Sequence, residues 1–342
     1  MKTRVAINGF GRIGRAFFKV ARENSNVHIV AINDLASAET LAYLLTYDSA
    51  YGRSGFPVEV SGANTLLIGR EPVPLTHEKD PSRLPWRDLD VDIVVESTGL
   101  FASYEKAKAH LSAGAKRVVV SAPIKDTPEA AGVSGATVLV GVNEEKLATC
   151  EISSNASCTT NAGSPIVAIF DETVGIEKAM LNTVHGYTSS QALVDGPNEK
   201  DPRRGRAGAL NIVPSSTGAA IATTMAHEGL KEKFDGIAMR VPVIVGSIVD
   251  ITFVAKRNTT VEEVNEILRS AAGSERWKGI FDASDEPLVS TDIIGNPHAS
   301  IADLQMTRVV DGNLVKVLAW YDNEMGYAHT LLRHVIQAGK SV

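Results

Sequence analysis

Through the first half of the chain, short β-branched runs alternate with stretches of helical periodicity. Val5–Ile7, His28–Ile32, Asp92–Val95, Arg117–Val120 and Val138–Val140 are apolar at successive positions, as strands are when helices cover both faces of their sheet. Between them, Ile13–Asn24 and Tyr104–Ala113 read as helices, and Gly114 supplies a C-terminal stop. The alternation predicts an α/β domain on a doubly wound parallel sheet. The second half reads differently. Longer strands are predicted at Ala179–Val184, Gly246–Ala255 and Leu314–Trp320, with the helix Val261–Ala271 among them, which suits an α+β domain with a mixed or antiparallel sheet. A final helix over Met325–Ala338 carries Leu331, Leu332, Val335 and Ile336 at helical spacing. The pattern changes near Ser154–Ser157, where the domain boundary is placed.

Length agrees with two domains, because 342 residues exceed what one compact core holds. A net charge of -6 gives no electrostatic reason to expect nucleic acid or an anionic membrane as partner. Phosphate-bearing ligands must therefore meet local clusters of donors. The two cysteines, Cys150 and Cys158, exclude a disulfide framework and form no CxxC pair. The N-terminus enters a strand at once, with no leader-like apolar core, and no apolar run approaches membrane-spanning length. A cytoplasmic protein is expected.

Gly9-Phe10-Gly11-Arg12-Ile13-Gly14 is a GxGxxG that follows a strand and opens a helix. Gly9 and Gly11 permit a tight turn and close approach of a pyrophosphate, and the helix N-terminus points N–H groups at it. The next strand ends in Asn33-Asp34, twenty residues beyond Gly14, where a carboxylate binds a ribose 2′-hydroxyl and repels a 2′-phosphate. The cofactor expected is NAD rather than NADP.

Cys158 sits among small polar residues, Ser153 to Asn161, before a helical pattern that runs to about Thr173. A thiol at a helix N-terminus is expected to have a lowered pKa, and Cys150 is expected to be inert. His185 ends an apolar strand and begins the polar Gly186-Tyr187-Thr188, which makes it the candidate base. Ser215-Ser216-Thr217-Gly218 suits either a phosphate cradle or a helix N-cap before Ala219–Met225. Arg240, after an apolar run, suits a bidentate phosphate ligand. Arg203, Arg204 and Arg206 read as a solvated basic loop. His329 and His334 lie five apart on a helix and face different ways, so no metal site is assigned.

Together INGFGRIGR, VAINDL, Glu96-Ser97-Thr98-Gly99, SNASCTTN, VHGYT, RRGRAGALNIVPSSTGAA, Met239–Pro242 and Trp320–Tyr327 resemble the phosphorylating glyceraldehyde-3-phosphate dehydrogenases over essentially the full length. The resemblance implies an NAD-binding Rossmann domain over 1–157, completed by a C-terminal helix at about 324–342, and a catalytic domain over 158–323. It implies that Cys158 attacks the aldehyde and His185 serves as its base. Thr188 and Arg240 resemble positions that hold the substrate phosphate; Ser157, Thr159, Thr217 and Gly218 resemble those for the attacking phosphate. Gly9, Gly11, Arg12, Ile13, Asp34, Lys79, Ser121 and Asn323 resemble cofactor contacts. Arg204 would belong to a long loop beside a neighbouring subunit's cofactor in a homotetramer. Departures are Ala162 for a second cysteine, Val243 for the usual threonine with Ile244–Gly246 altered, Met325 for tryptophan, and Lys79 for arginine. The resemblance leaves two alternatives, an erythrose-4-phosphate dehydrogenase and a catalytically silent NAD-binding protein. Thr188, Ser216-Thr217-Gly218 and the retained Cys158, His185 and Arg240 favour the triose enzyme over both.

Overall fold

The computed structural model describes every residue except Met1, Lys200 and His227, and the side chains of 225, 226 and 228 are likewise left aside. The chain divides into two compact units, one of residues 1–156 with 328–342 and the other of 157–327.

In the first unit the order is β1 (Thr3–Asn8), α1 (Arg12–Ala21), β2 (Val27–Asn33), α2 (Ala38–Thr46), then the two-residue strands β3 (Tyr47–Asp48) and β4 (Gly52–Arg53). There follow β5 (Val58–Val60), β6 (Thr65–Ile68), β7 (Glu71–Thr76), β8 (Ile93–Glu96), α3 (Tyr104–Ser112), β9 (Arg117–Val120), α4 (Pro128–Ala131), β10 (Gly135–Thr137) and β11 (Ile152–Ser154). Nine strands form one sheet in the order β10-β11-β9-β8-β1-β2-β7-β6-β5. All neighbours from β10 to β7 are parallel, and β6 and β5 add an antiparallel edge. The chain leaves β1 for β2 on one side and returns to β8 on the other. That reversal opens a crevice at the carboxyl ends of these strands, which is where ligands bind in doubly wound sheets. Val5, Ile7, Ile32, Val94 and Val118 are wholly buried between the helices, as apolar runs require in a covered parallel sheet.

The strand expected at Val138–Val140 lies three residues earlier. Val138 N–H still bonds Ser154 O, but the Asn143 side chain takes Leu139 N–H and donates to Thr137 O, so a turn replaces the ladder. Helix α1 also stops at Ala21, short of the expected Asn24.

The second unit begins with α5 (Cys158–Thr173), followed by β12 (Ile176–Gly186), β13 (Val213–Ser216), α6 (Ala219–Ala226), β14 (Phe234–Val241), β15 (Ser247–Ala255), α7 (Val261–Ala272), β16 (Phe281–Ser284), β17 (Ser300–Val310), β18 (Leu314–Tyr321) and the start of α8 (Met325–Gly339). Its sheet is mixed, in the order β13-β14-β12-β15-β18-β17-β16. Helix α5 is buried from Thr159 to Phe170 and packs on this sheet, with the Phe170 and Phe253 rings 5.0 Å apart. The nucleophile candidate thus heads a helix whose core side is locked by apolar burial.

Candidate active site

Helix α5 starts on Ser157, whose hydroxyl accepts Thr160 N–H at 3.1 Å, so Cys158 occupies the first helical position. His185 is placed by β12 and Arg240 by β14. The two strands run parallel with His185 opposite Arg240 in register. Cys158 Sγ lies 3.4 Å from His185 Nε2, and Arg240 Nη1 lies 2.6 Å from His185 Nδ1 and 3.2 Å from Gly186 O. Arg240 Nε is buried without a hydrogen-bond partner. A desolvated cation with a donor to spare is what an anionic ligand seeks.

Tyr321 backs this cluster. Its hydroxyl bonds Thr159 Oγ1 at 2.9 Å and Thr183 Oγ1 at 2.8 Å, and its ring meets the His185 ring edge-on at 6.0 Å. Thr183 and His185 are two apart on β12 and so share a face, a period-2 signal present in the sequence but mute about the partner.

Electrostatics depart from the expected low-pKa thiol. Burial pushes the Cys158 thiol up, against the Arg240 charge and hydrogen bonds from Thr159 and the helix N-terminus. Burial, then the Arg240 charge, brings His185 down to about 3. The resting pair is therefore a neutral thiol facing a neutral imidazole, because desolvation outweighs the helix terminus here. Cys150, as expected for an inert cysteine, is buried with its thiol pushed up by that burial.

The remaining phosphate candidates divide. Arg204 is not a solvated loop residue: its Nε and Nη2 donate to Ser215 Oγ at 3.0 and 2.6 Å, and its charge acts on Arg240. Arg203 and Arg206 remain exposed. Thr217 Oγ1 accepts Ala219 N–H at the start of α6, while a side chain at Gly218 would meet only open space. Thr188 bonds Ser190. Val243 keeps its backbone role beside the site, its carbonyl accepting Tyr187 N–H.

In the first unit, Gly9, Gly11, Asp34 and Lys79 line one cavity of about 430 Å³ at the crevice, along with Asn8 and Thr98. Its glycine turn with a carboxylate beside it suits the adenosine and pyrophosphate of a dinucleotide. Gly9 has φ +93°, and a Cβ there would lie 2.7 Å from Thr98 N, whereas a Cβ on Gly11 would fill open space where a pyrophosphate approaches. Asp34 accepts Phe10 and Ala36 N–H groups, one on each carboxylate oxygen, which fixes its orientation. Arg12 and Ile13 open α1 directly after Gly11, but the Arg12 guanidinium turns to Asp48 at 2.7 Å. Ser121 directly follows β9, its N–H on Glu96 O. In the second unit, Asn323 Oδ1 accepts Gly246 N–H and the Ser247 hydroxyl, which assigns the amide and leaves Nδ2 as its donor end. His334 is buried in the first unit between Ser153 and Asn155, and no metal-holding group of side chains occurs among the described residues.

Comparison with known proteins bears on both units. Residues 3–104 match the family model for the glyceraldehyde 3-phosphate dehydrogenase NAD binding domain, and residues 157–323 that for its C-terminal domain. The chain is 45% identical to the glyceraldehyde-3-phosphate dehydrogenase of Mycobacterium avium across the full length of both. It is 46% identical to glyceraldehyde-3-phosphate dehydrogenase 2 of Bacillus subtilis, over 98% of this chain and 97% of that one. With the Geobacillus stearothermophilus protein of the same name the identity is 46%, over 97% of each.

Proposed function

Because the chain belongs to the glyceraldehyde-3-phosphate dehydrogenase family, we propose that it oxidises D-glyceraldehyde 3-phosphate with NAD and inorganic phosphate to 1,3-bisphosphoglycerate. The observation that carries the reading is the contact of Cys158 Sγ with His185 Nε2 at 3.4 Å, beside the unpartnered Nε of Arg240.

Cys158 Sγ forms a bond to the aldehyde carbon while its proton passes to His185 Nε2, giving a thiohemiacetal. Backbone N–H groups at the start of α5 face the sulfur and suit the oxyanion as well. Bound NAD supplies the acceptor for the hydride that leaves this carbon. Cys158 then carries a thioester, which a phosphate oxygen attacks; the C–S bond breaks and the thiolate is released with the acyl phosphate. Arg240 and Thr188 serve the substrate phosphate. Ser157, Thr159, Thr217 and Gly218 serve the attacking one, and the Arg204 charge adds to the field around both.

Gly9, Gly11, Asp34 and Lys79 hold the dinucleotide, with Arg12 and Ile13 contributing through the first turn of α1, Ser121 from the end of β9, and Asn323 through Nδ2. The protein works as a homotetramer in cytoplasmic glycolysis. Supporting the assembly, Leu193, Val194, Leu210 and Ile212 are largely exposed along one loop, more apolar surface than a loop in water carries without a partner. No described helix is long and apolar enough to cross a membrane.

The test is NADH absorbance with triose phosphate and NAD under a titration of phosphate or arsenate, with parallel samples of erythrose 4-phosphate. Phosphate-dependent NADH formation from the triose is expected. Turnover without phosphate, or preference for the tetrose, would replace this reading, and silence would leave a binding protein on the scaffold.

A further inference from the structure

Behind the dinucleotide cavity lies a polar network that the reaction does not use. Asn33, Asn8 and Glu96 end β2, β1 and β8, and stand side by side in register, with Thr76 of β7 beyond Asn33. Their side chains form one chain of hydrogen bonds across four strands. Thr76 Oγ1 and Glu78 N–H donate to Asn33 Oδ1, Asn33 Nδ2 donates to Asn8 Oδ1, and Asn8 Nδ2 donates to Glu96 Oε2. Glu96 Oε1 accepts the N–H and the hydroxyl of Thr98.

The chain continues into the core. His110 of α3 lies 3.1 Å from Glu96 Oε2 through Nε2, and Trp86 Nε1–H points at His110 Nδ1 from 3.0 Å. An indole N–H only donates, so Nδ1 holds a lone pair and the proton sits on Nε2, directed at Glu96. Four donors converge on one carboxylate that is 1% exposed, with no lysine or arginine among them. The His110 ring also meets Phe101, a wall of the cavity, edge-on at 6.4 Å.

We propose that Glu96 and His110 are positioning residues for the cofactor, fixing both walls of the dinucleotide cavity from behind. On one side Glu96 clamps the Thr98 turn against Gly9, where the backbones lie too close for a Cβ. On the other, Asn8 and Asn33 relay the same anchor to Glu78 and hence to the Lys79 wall. The acceptor matters more than the shape. Replacing one carboxylate oxygen by an NH2 group sets donor against donor in a closed site, and the walls must part.

This inference rests on the NAD-dependent reading, so the experiment separates the two. NAD dissociation constants and steady-state parameters are measured for the full-length wild type and for the Glu96→Gln, His110→Gln and His110→Leu variants, each checked by circular dichroism. Wild-type protein that binds no NAD would defeat the functional reading itself. Given wild-type binding, Glu96→Gln is expected to raise the dissociation constant and KM for NAD about tenfold or more, with the triose phosphate KM held. His110→Gln, whose amide both accepts from Trp86 and donates to Glu96, keeps NAD affinity within about twofold, and His110→Leu loses it like Glu96→Gln. A fall in active fraction with the NAD constant unchanged, or equal affinities for the two His110 variants, would overturn the proposal. Should Glu96→Gln not be recovered folded, the His110 pair decides alone.

Discussion

Arg240 Nη1 and Gly186 O both lie within 2.7 Å of His185 Nδ1, and only one of them is served at a time. A guanidinium only donates and a carbonyl only accepts. With the proton on Nδ1 toward Gly186, Nε2 turns a lone pair to Cys158; with Nδ1 accepting from Arg240, Nε2 carries the proton instead. An anion that draws Arg240 onto itself therefore selects the tautomer in which His185 is a base.

Arg240→Ala takes away the second cause that holds His185 at about 3 and leaves the first, burial, in place. The His185 pKa is expected to rise, read from the pH titration of its ring proton by NMR. KM for the triose phosphate should rise roughly tenfold to a hundredfold as the charged phosphate ligand goes. A titration that stays put would mean that the guanidinium is not felt at the ring.

The raised thiol makes a second prediction. Alkylation of Cys158 by iodoacetamide should still be accelerating above pH about 8.5, the ordinary thiol value. A rate already level below pH 7 would show a preformed thiolate instead. Cys158→Ser should abolish turnover, by about a thousandfold or more, while NAD binding measured by fluorescence persists.

Stability should carry the mark of His334. Its buried ring donates to Asn155 through Nδ1 and takes the Ser153 hydroxyl on Nε2, and burial lowers its pKa to about 3. The folded value lies below the unfolded 6.5, so this contribution is full above pH 6.5 and is lost as pH falls from there toward 3. At pH about 5.5 the loss is about 1 kcal/mol, which His334→Gln should escape. Urea midpoints of both proteins at pH 7 and 5.5 measure it; parallel shifts would remove His334 as the cause.

Asp34→Ala leaves Phe10 N–H and Ala36 N–H without their carboxylate and removes the charge that repels a 2′-phosphate. The ratio of kcat/KM for NADP to that for NAD should rise at least about tenfold, since NADP is freed of a charge repulsion and the NAD ribose is deprived of its hydroxyl acceptor. An unchanged ratio would move cofactor choice elsewhere.

Much of this was legible because it is local. The GxGxxG turn, the strand that Asp34 follows and the helix headed by Cys158 are each written in consecutive residues. The antiparallel edge was not, because Pro72 and Pro74 interrupt the β pattern of β7. The fold tolerates them because β7 pairs with β2 only at Leu75 and Thr76, so over Glu71–Pro74 one side of the strand asks for no N–H. Arg204 looked like its neighbours Arg203 and Arg206 until the chain brought Ser215 to it. The His185–Arg240 contact depends on the register of β12 with β14, and the low His185 value on burial that no spacing records.

Helix α8 starts in the second compact unit and ends in the first, where His334 is sealed. A ribosome therefore releases the first unit's early strands long before the residues that finish it. The catalytic unit is one unbroken stretch, whereas the first is closed only when His334 returns to Ser153 and Asn155. The N-terminal unit cannot seal Ser153 and Asn155 until α8 reaches them, so residues 328–342 complete a core whose other strands lie more than 170 positions earlier in the chain.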